Sequence, residues 1–262
     1  MKKLVALMLS LIMVLSLAAC GSNKDQTDLE AVKEKGKLVV GITDYAPMDF
    51  KEKGNDEWVG FDADMAKAFA KELGVEVEFV EIDWDNKIME LDSGAIDCVW
   101  NGMTLTDEVT SAMDCSNAYC NNSQVVIVPK DKADKYQTVE SLAELNFVVE
   151  TGSAGEGAAE SNELTFTPVD TQAKALFEVK SKTADAAIID ALMAGAMVGD
   201  KTDYADLTYT VSLGDEEFGV GFRKGSDLVS ALNDFFAASY KDGSMMKCAE
   251  KYGVQAAIIE QK

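Results

Sequence analysis

The sequence predicts an α/β fold of two similar lobes joined by a hinge of two crossing strands. Three observations support this prediction. Short apolar strands alternate with amphipathic helices, which is typical of parallel sheets with helical crossovers. The same order of elements then appears a second time, and two apolar strands connect the repeats. We therefore assign residues 36–128 and 219–262 to lobe 1 and residues 129–218 to lobe 2.

Five successive segments predict the centre of lobe 1. The run GKLVVGI (36–42) predicts a short buried strand, and VEVEFVEI, in which apolar and acidic residues alternate, predicts a strand with one exposed face. Between them, an apolar residue at every fourth position from Phe61 to Leu73 predicts a helix that ends at Gly74. WDNKIMELDSG predicts a second helix and AIDCVW a third strand, and the following WNGMTLTDEV (100–109) predicts a polar loop.

The second lobe repeats this order of elements. ELNFVVETGSAG (144–155) resembles GKLVVGITDYAP, and QAKALFEVKSKTADAAIID resembles NKIMELDSGAIDCVWNG, so that Asp97 and Asp185 hold equivalent positions. A strand that ends at Pro129 supplies the first crossing, and DEEFGVGFRKGSD (215–227) supplies the return. The two C-terminal helices are expected to pack on lobe 1. Two crossings form a hinge around a cleft, which is typical of a protein that traps a ligand.

The N-terminus predicts export and lipid attachment. In MKKLVALMLSLIMVLSLAAC, two lysines precede an apolar run that is shorter than a membrane span, which indicates a signal peptide over residues 1–19. Its end, Leu-Ala-Ala-Cys20, resembles the bacterial lipobox, and the polar GSNKDQTD suits a tether, which we assign to residues 20–35. The alternative is a plain signal peptide with a chance cysteine. Because each buried methylene contributes about 0.8 kcal/mol, several acyl chains would keep the protein on the outer face of the cytoplasmic membrane.

The composition argues against several classes of function. A net charge of −22 argues against a nucleic-acid partner and against contact of the protein body with an anionic membrane. The chain has no histidine, and its four cysteines after Cys20 have no zinc or redox spacing, so we expect no metal and no cofactor. A disulfide between Cys115 and Cys120 is geometrically conceivable, and the sequence leaves it open.

Four segments occur in a fixed order: LVVGITDYAPMDF, the run from WVGFDADM to WNGMTLTDE, DAAIID and FGVGFRKGSD. Together they resemble the solute-binding proteins (family 3) of polar amino-acid ABC importers, from about Gly36 to Gly253. The resemblance implies a periplasmic-binding-protein-like (type II) fold whose ligand lies between the lobes, at the carboxyl ends of the strands. It also implies that ABC permease subunits are the partner, and we expect the receptor to be a monomer.

The resemblance carries over candidate ligand contacts from lobe 1. Tyr45 and Trp84 match aromatic positions that sandwich the ligand side chain. Gly102 and Thr104 match a backbone carbonyl and a hydroxyl that meet its polar head. Asn101 is a further candidate for the site, or it satisfies only its own loop. Trp84 equally suits a packed aromatic residue at a helix start.

Further candidates come from lobe 2. Gly152 and Ser153, in ETGSAG, match the glycine and the hydroxyl residue that face the ligand carboxylate. Asp190 matches the acid that receives the α-ammonium group, although its place before ALMAGAMVG also suits a helix N-cap. Glu150 stands where many relatives have Gln or a cation; it is a candidate, although acids at strand ends are often only solvated.

The chain departs from the family at the residue that clamps the carboxylate. The family usually reads T-x-E-R, and this arginine binds the ligand carboxylate through two parallel hydrogen bonds. Here the position is Val109, and the only arginine, Arg223, belongs to the return crossing. If Glu150 faces the cleft, with Asp44 and Asp190 near it, the site has lost a positive charge and gained a negative one.

Two ligand classes follow, and the sequence does not choose between them. In the first, the ligand has a carboxylate that is held by Ser153, Thr104 and backbone N–H groups at a helix start. In the second, the ligand is a basic amino acid, an amine or an amide. Its nitrogen then meets Asp190 and Glu150 while its body stacks on the aromatic rings.

The leading hypothesis is a lipid-anchored receptor that passes an amino acid, or a related amine or amide, to an ABC permease and is not an enzyme. One alternative is a small-molecule lyase or dehydratase, in which Glu150 and Asp190 would supply the acid–base pair. The other alternative is a sensor whose liganded form binds a signalling partner.

Overall fold

The computed structural model describes residues 26–262. The predicted signal peptide and the predicted lipidation site at Cys20 lie outside these residues. Within them, no helix combines the length and the apolar composition that crossing a bilayer requires.

Lobe 1 is built around parallel strands. Its elements up to the first crossing are helix α1 Asp28–Lys35, strands β1 Lys37–Ile42, β2 Phe50–Lys51 and β3 Trp58–Val59, helix α2 Phe61–Leu73, strand β4 Glu76–Glu81, helix α3 Lys87–Ser93, strand β5 Cys98–Thr104, helix α4 Asp107–Ala112 and strand β6 Asp114–Cys115. A 3₁₀ helix, Trp84–Asn86, leads into α3. Strand β1 pairs in parallel with β4 on one side and with β5 on the other. The predicted strand–helix alternation of this lobe is therefore present.

Lobe 2 repeats the parallel arrangement. The elements from the first crossing to the second are β7 Cys120–Pro129, 3₁₀ helices Lys130–Lys135 and Val139–Leu142, β8 Phe147–Glu150, α5 Ala154–Ser161, β9 Phe166–Val169, α6 Gln172–Ser181, β10 Ala186–Asp190, α7 Ala191–Met197 and β11 Leu207–Phe222. Strand β8 pairs in parallel with β9 and β10. Helices α8 Leu228–Asp242 and α9 Ser244–Tyr252 follow, and α9 packs on α2 of lobe 1, as predicted.

Strands β7 and β11 connect the lobes. In the described residues one nine-stranded sheet has the order β4-β1-β5-β11-β7-β10-β8-β9, with β6 on β11. Strand β7 pairs with β10 from Gln124 to Ile127, so its second half already belongs to lobe 2. Strand β11 pairs with β5 of lobe 1 from Phe218 to Phe222. The first crossing therefore lies before the boundary that we placed between residues 128 and 129, because β7 continues across the hinge as one strand.

Apolar side chains cover both faces of the sheet. Helix α2 buries the stripe that its spacing predicts, with Phe61, Met65 and Phe69 inside and Leu73 partly buried. Full burial of such a side chain contributes about 1.5–3 kcal/mol. This packing holds β1 and β5 in place, and their carboxyl ends face lobe 2.

The predicted tether is shorter than we assigned. Residues 28–35 of the predicted 20–35 tether form helix α1, whose N-cap Thr27 accepts a hydrogen bond from the Glu30 backbone N–H at 3.2 Å. Val32 is fully buried against lobe 1. The polar composition of this segment hid two apolar contacts, since Leu29 also packs against the core of the lobe.

The segment WNGMTLTDEV is also more regular than predicted. Strand β5 continues through Thr104, and the loop that we expected from residue 100 is confined to the residues before α4. The reason is the antiparallel pairing of Thr104 with Phe218 and of Met103 with Gly219 on β11. A partner strand more than 100 residues away is not visible in the local sequence.

In the described part of the chain, Cys98, Cys115, Cys120 and Cys248 are free thiols. The Cys115–Cys120 disulfide that the spacing allowed is therefore not formed.

Candidate functional site

A cavity lies between the two lobes. The space between its walls is about 590 Å³, a figure that includes open solvent, and the enclosed part that can hold the centres of water-sized atoms is about 50 Å³. The nine candidate residues all line it, and they are Tyr45, Trp84, Asn101, Gly102, Thr104, Glu150, Gly152, Ser153 and Asp190. The fold therefore brings together every ligand contact that the sequence nominated; their contact with a ligand remains a prediction.

The cavity forms where parallel strands of both lobes end. Tyr45 follows β1 and Thr104 ends β5, while Glu150 ends β8 and Asp190 ends β10. Open parallel sheets place their ligand sites outside the carboxyl ends of their strands. Trp84 joins them from the connection between β4 and α3.

Tyr45 is a buried residue with an unused polar group. Its hydroxyl has no hydrogen-bond partner among the described residues, and its ring packs edge-on against Phe218 at a centroid distance of 6.4 Å. Leaving a buried hydroxyl unpaired costs about 1–3 kcal/mol. A ligand group in the cavity can supply the missing hydrogen bond.

Gly102 allows the Tyr45 ring to approach the backbone. Its φ is +55°, and a Cβ at this position would lie 2.4 Å from Tyr45 Cε1. The Gly102 N–H donates to Asp62 Oδ2 at 2.6 Å, and the Tyr119 hydroxyl donates to the same oxygen at 2.7 Å. Burial raises the pKa of Asp62 to about 7, against these hydrogen bonds. Because its N–H is bonded inside the protein, Gly102 has only its carbonyl to offer a ligand.

The Asn101 side chain is occupied within lobe 1. Its Oδ1 accepts from the Thr43 N–H at 2.8 Å, and its Nδ2 donates to Thr43 Oγ1 at 2.7 Å. These two bonds join the end of β1 to β5. The alternative that Asn101 satisfies only its own loop does not describe these bonds, because Thr43 follows β1, 58 residues away in the sequence.

Trp84 lines the cavity and also packs in the apolar core of lobe 1. It is buried in an apolar cluster that also contains Met103 and Val109, and the Lys87 ammonium lies 4.9 Å from its ring centroid. Val109, at the position of the family arginine, lines the cavity with an apolar side chain. Arg223 lies elsewhere, where its Nη1 donates to the Ile96 carbonyl at 2.8 Å.

Asp190 is held by amide side chains. Its Oδ1 accepts from Asn122 Nδ2 at 2.5 Å and from Gln124 Nε2 at 2.8 Å, and its Oδ2 accepts from Gln172 Nε2. The same Asn122 and Gln124 groups donate to Glu216 Oε1 at 2.6 and 2.9 Å. Burial, reinforced by the Glu216 charge, raises the pKa of Asp190 well above its usual range.

Asp190 directly precedes α7, yet its side chain accepts no capping hydrogen bond from that helix. Asp190 therefore holds the N-cap position of α7, but its carboxylate bonds to the amide side chains and not to the helix. The amide residues that hold the acid, and Glu216 behind it, were missed because they come from the crossing strands and from α6. The only signal in the sequence was a set of polar residues in otherwise apolar strands.

Glu150 lines the cavity and is almost fully buried. Burial raises its pKa to about 8, while a hydrogen bond from Gln172 and the charge of Lys87 oppose the rise. Asp44 also lines the cavity, as we expected for its neighbourhood. The condition that Glu150 faces the cleft is therefore met.

Gly152 and Ser153 form the start of α5. Ser153 Oγ accepts from the Glu156 N–H at 3.2 Å as the N-cap, and Glu156 Oε2 accepts from the Gly152 N–H at 2.7 Å. A Cβ at Gly152, where φ is +70°, would lie 2.9 Å from Asp85 Oδ1 of lobe 1. The two lobes are thus in contact here, and the glycine makes that contact possible.

Lys87 is a cavity residue that the sequence analysis missed. It is only 4% exposed, and its Nζ donates to the Gly152 carbonyl at 2.9 Å and to the Trp84 carbonyl at 3.3 Å. Burial lowers its pKa, and nearby carboxylates, of which Glu108 is the strongest, oppose that change. Val109 leaves the family position without its positive charge, but the cavity wall contains a cation that we did not predict, because this lysine opens α3 beside Trp84.

Comparison with known proteins places the chain among binding proteins. A sequence model of the bacterial extracellular solute-binding proteins, family 3, matches residues 38–255. The arginine-binding extracellular protein ArtP of Bacillus subtilis (strain 168) is 30% identical over 258 residues, which is 96% of this chain and 98% of the relative.

Two solved structures are similar over both lobes. An ABC uptake transporter substrate binding protein from Streptococcus pneumoniae with bound histidine has a TM-score of 0.80 at 28% identity, and covers 89% of this chain and 99% of its own. The ancestral amino acid-binding protein AncCDT-1, a precursor of cyclohexadienyl dehydratase, has a TM-score of 0.78 at 35% identity, with 86% and 98% covered. The two-lobe α/β fold that the sequence predicts is confirmed.

Proposed function

The chain belongs to family 3 of the bacterial extracellular solute-binding proteins, and on that premise we propose that it is the receptor of an amino-acid ABC importer. Its ligand is an amino acid or a related amine or amide, which it binds between its lobes and passes unchanged to the permease subunits. Its relatives bind different solutes, arginine for ArtP and histidine for the pneumococcal protein. Membership of the family therefore leaves the ligand side chain open.

The composition of the cavity walls carries this proposal. Lobe 1 supplies the rings of Tyr45 and Trp84, and lobe 2 supplies the carboxyl groups of Glu150 and Asp190. Among the described residues, neither acid has a basic partner within 4.0 Å. Buried carboxylates need a counter-ion, and a ligand ammonium would supply it. The rings would cover the apolar part of the ligand and attract its cation.

The acid network connects this ligand to the hinge. Asn122 on β7 and Glu216 on β11 both belong to the group that surrounds Asp190. These residues face each other where the two crossing strands pair. An ammonium bound at Asp190 would therefore act next to the strands about which the lobes rotate, which suits capture by closure.

We also propose that Cys20 carries the acyl chains that hold the receptor on the outer face of the cytoplasmic membrane, and that the receptor works there as a monomer. The support is the lipobox-like end of the apolar N-terminal run. The variant Cys20→Ser should move the protein from the membrane fraction to the medium. Equal fractionation of the variant and the unchanged protein would contradict lipid anchoring.

A thermal-shift screen of the purified protein against amino acids, polyamines and small amides tests the receptor. A ligand at a hundred times its Kd stabilises the folded state by about 2.7 kcal/mol, which is a readily measured shift. We expect one of these solutes to stabilise the protein and to be recovered unchanged. Consumption of the solute would favour the lyase alternative, and the absence of any shift would contradict the receptor.

A further inference from the structure

The cavity contains a buried cation without a counter-ion. Among the described residues, Lys87 has no carboxylate within 4.0 Å, although its side chain is 4% exposed. Two backbone carbonyls take two of its three N–H donors. Proteins rarely bury a charge unless it is paired, since an unpaired buried ion is strongly unfavourable. One donor and the charge are therefore left for a group that enters the cavity.

The carboxylates of Glu108, Asp85, Glu150 and Glu156 act on the Lys87 charge from beyond 4.0 Å, and hydrogen-bond donors lie beside its ammonium. Its ammonium contacts the Gly152 carbonyl, directly before Ser153, the N-cap of the eight-residue helix α5. Ala154, the first residue of that helix, also lines the cavity. The first N–H groups of a helix have no acceptor within the helix, and the helix dipole favours negative charge there. An anion at Lys87 would thus lie beside a second source of hydrogen-bond donors.

Lys87 and Val109 occupy the same wall of the cavity. Val109 packs in the apolar cluster with Trp84, and the Lys87 ammonium lies over the Trp84 ring. Val109 is the position at which the family resemblance places the arginine that clamps the ligand carboxylate. The cation in this wall therefore stands at the first residue of α3, and the residue at the family position, Val109, is apolar.

We propose that Lys87 binds the carboxylate of the ligand and that the ligand is an α-amino acid, with its ammonium at Asp190. This inference rests on the proposed receptor function and chooses the amino acid over amines and amides. Lobe 1 then binds the carboxylate of the ligand through Lys87, and lobe 2 binds its ammonium group through Asp190. Because one lysine donor remains free, the carboxylate receives a single charged hydrogen bond in place of the paired bonds of an arginine.

Matched ligands with and without a carboxylate test the proposal. The probes are the amino acid that gives the largest shift in the screen and the amine that lacks its carboxylate, such as arginine with agmatine or histidine with histamine. Calorimetric titration should show that the unchanged protein prefers the amino acid at least about tenfold. Lys87→Met should weaken binding of the amino acid by about 10–150-fold, the loss expected for one charged hydrogen bond. The affinity for the amine should change less than about threefold, because it has no group at this position.

Three further variants make the result specific. Lys87→Arg keeps the charge and should retain the preference for the amino acid. Val109→Arg, added to Lys87→Met, should restore at least about tenfold of the lost affinity by returning the charge to the family position. Lys247→Met makes the same charge change at an exposed position of α9 on lobe 1 and should bind like the unchanged protein. Thermal unfolding of each variant checks that the chain is folded.

The outcomes separate this inference from the receptor function. Equal loss of amino acid and amine in Lys87→Met would show that Lys87 only ties the lobes through Gly152, and would overturn the proposal. Equal affinity of the unchanged protein for both probes would also overturn it, while the receptor function stands. If no screened solute binds, the receptor function fails, and this inference fails with it.

Discussion

Each lobe has an aspartate whose carboxylate accepts a hydrogen bond from the backbone at a neighbouring strand. The two aspartates differ in how deeply they are buried. In lobe 1 the Asp97 carboxylate accepts from the Val39 N–H of β1 at 2.7 Å. In lobe 2 the Asp185 carboxylate accepts from the Asn146 N–H, just before β8, at 3.1 Å. Asp97 is buried and pairs with Lys35 at 2.5 Å, whereas Asp185 is partly exposed. The repeat in the sequence therefore marks the positions that join neighbouring strands inside each lobe.

The lobes diverge where their strands end at the cleft. Lobe 1 contributes aromatic rings, the cation Lys87 and the acids Asp44 and Glu108, and lobe 2 contributes the acids Glu150 and Asp190. Pairing between strands depends on backbone geometry. At the places where an aspartate bonds to a neighbouring strand, that pairing also constrains which side chain can stand there. The strand ends carry no such requirement, so their charges are free to match a ligand. This comparison teaches that the scaffold repeats and that the specificity does not.

The largest effect is expected at the acidic wall. Asp190→Asn should weaken binding of an amino acid and of its decarboxylated amine alike, by about 1.5–3 kcal/mol, because both have the nitrogen group that the acid receives. Calorimetric titration with both probes measures the loss. Asp200→Asn, an exposed acid of lobe 2, is the matched control. Undiminished binding by Asp190→Asn would remove Asp190 from the site.

The next effect compares Asp97 and Asp185, the two aspartates that bond to the backbone at a neighbouring strand. Asp97→Ala leaves the buried Val39 N–H without its acceptor and should lower the free energy of unfolding by about 1–3 kcal/mol. Asp185→Ala should cost at most about 1 kcal/mol, since water can reach the partly exposed Asn146. Urea unfolding of both variants measures the difference. A greater loss of unfolding free energy in Asp185→Ala than in Asp97→Ala would mean that burial does not decide how much this hydrogen bond stabilises the fold.

The third effect is a pH dependence of the stability of the unliganded protein. The pKa of Glu150 is raised to about 8 in the folded state from 4.5, so its contribution to stability is present at low pH and is lost as the pH rises through this window. Glu150→Gln cannot ionise. Its melting temperature should equal that of the unchanged protein near pH 4.5 and exceed it by a growing margin as the pH rises to 8, since each unit of pKa shift corresponds to about 1.4 kcal/mol.

Melting curves from pH 4.5 to 8 check this prediction. Asp190, whose pKa is also raised, should leave a residual slope of the same sign in the Glu150→Gln variant. Parallel curves for the variant and the unchanged protein would show that folding leaves the pKa of Glu150 unshifted.

Much of the molecule could be predicted because the pattern is local. Strand–helix alternation, the apolar stripe of α2 and the paired aspartates are each visible within a few residues. Those patterns lead to two lobes, and parallel strands lead to a site at their carboxyl ends. Seven of the nine candidate residues followed from the family resemblance, Glu150 from a departure from it and Asn101 from its place in the loop, and all nine line one cavity.

The sequence by itself determined the fold class, the strand ends that form the cavity and the acids within it. Only the tertiary structure decided the charge balance of the cleft and the length of β5. Lys87 reads locally as one polar residue of an exposed helix, and its burial depends on the Gly152 carbonyl of the other lobe, 65 residues away. The amide groups around Asp190 come from strands that cross between lobes. Burial and pairing over such separations depend on which surfaces the fold brings together, and no local pattern in the chain records them.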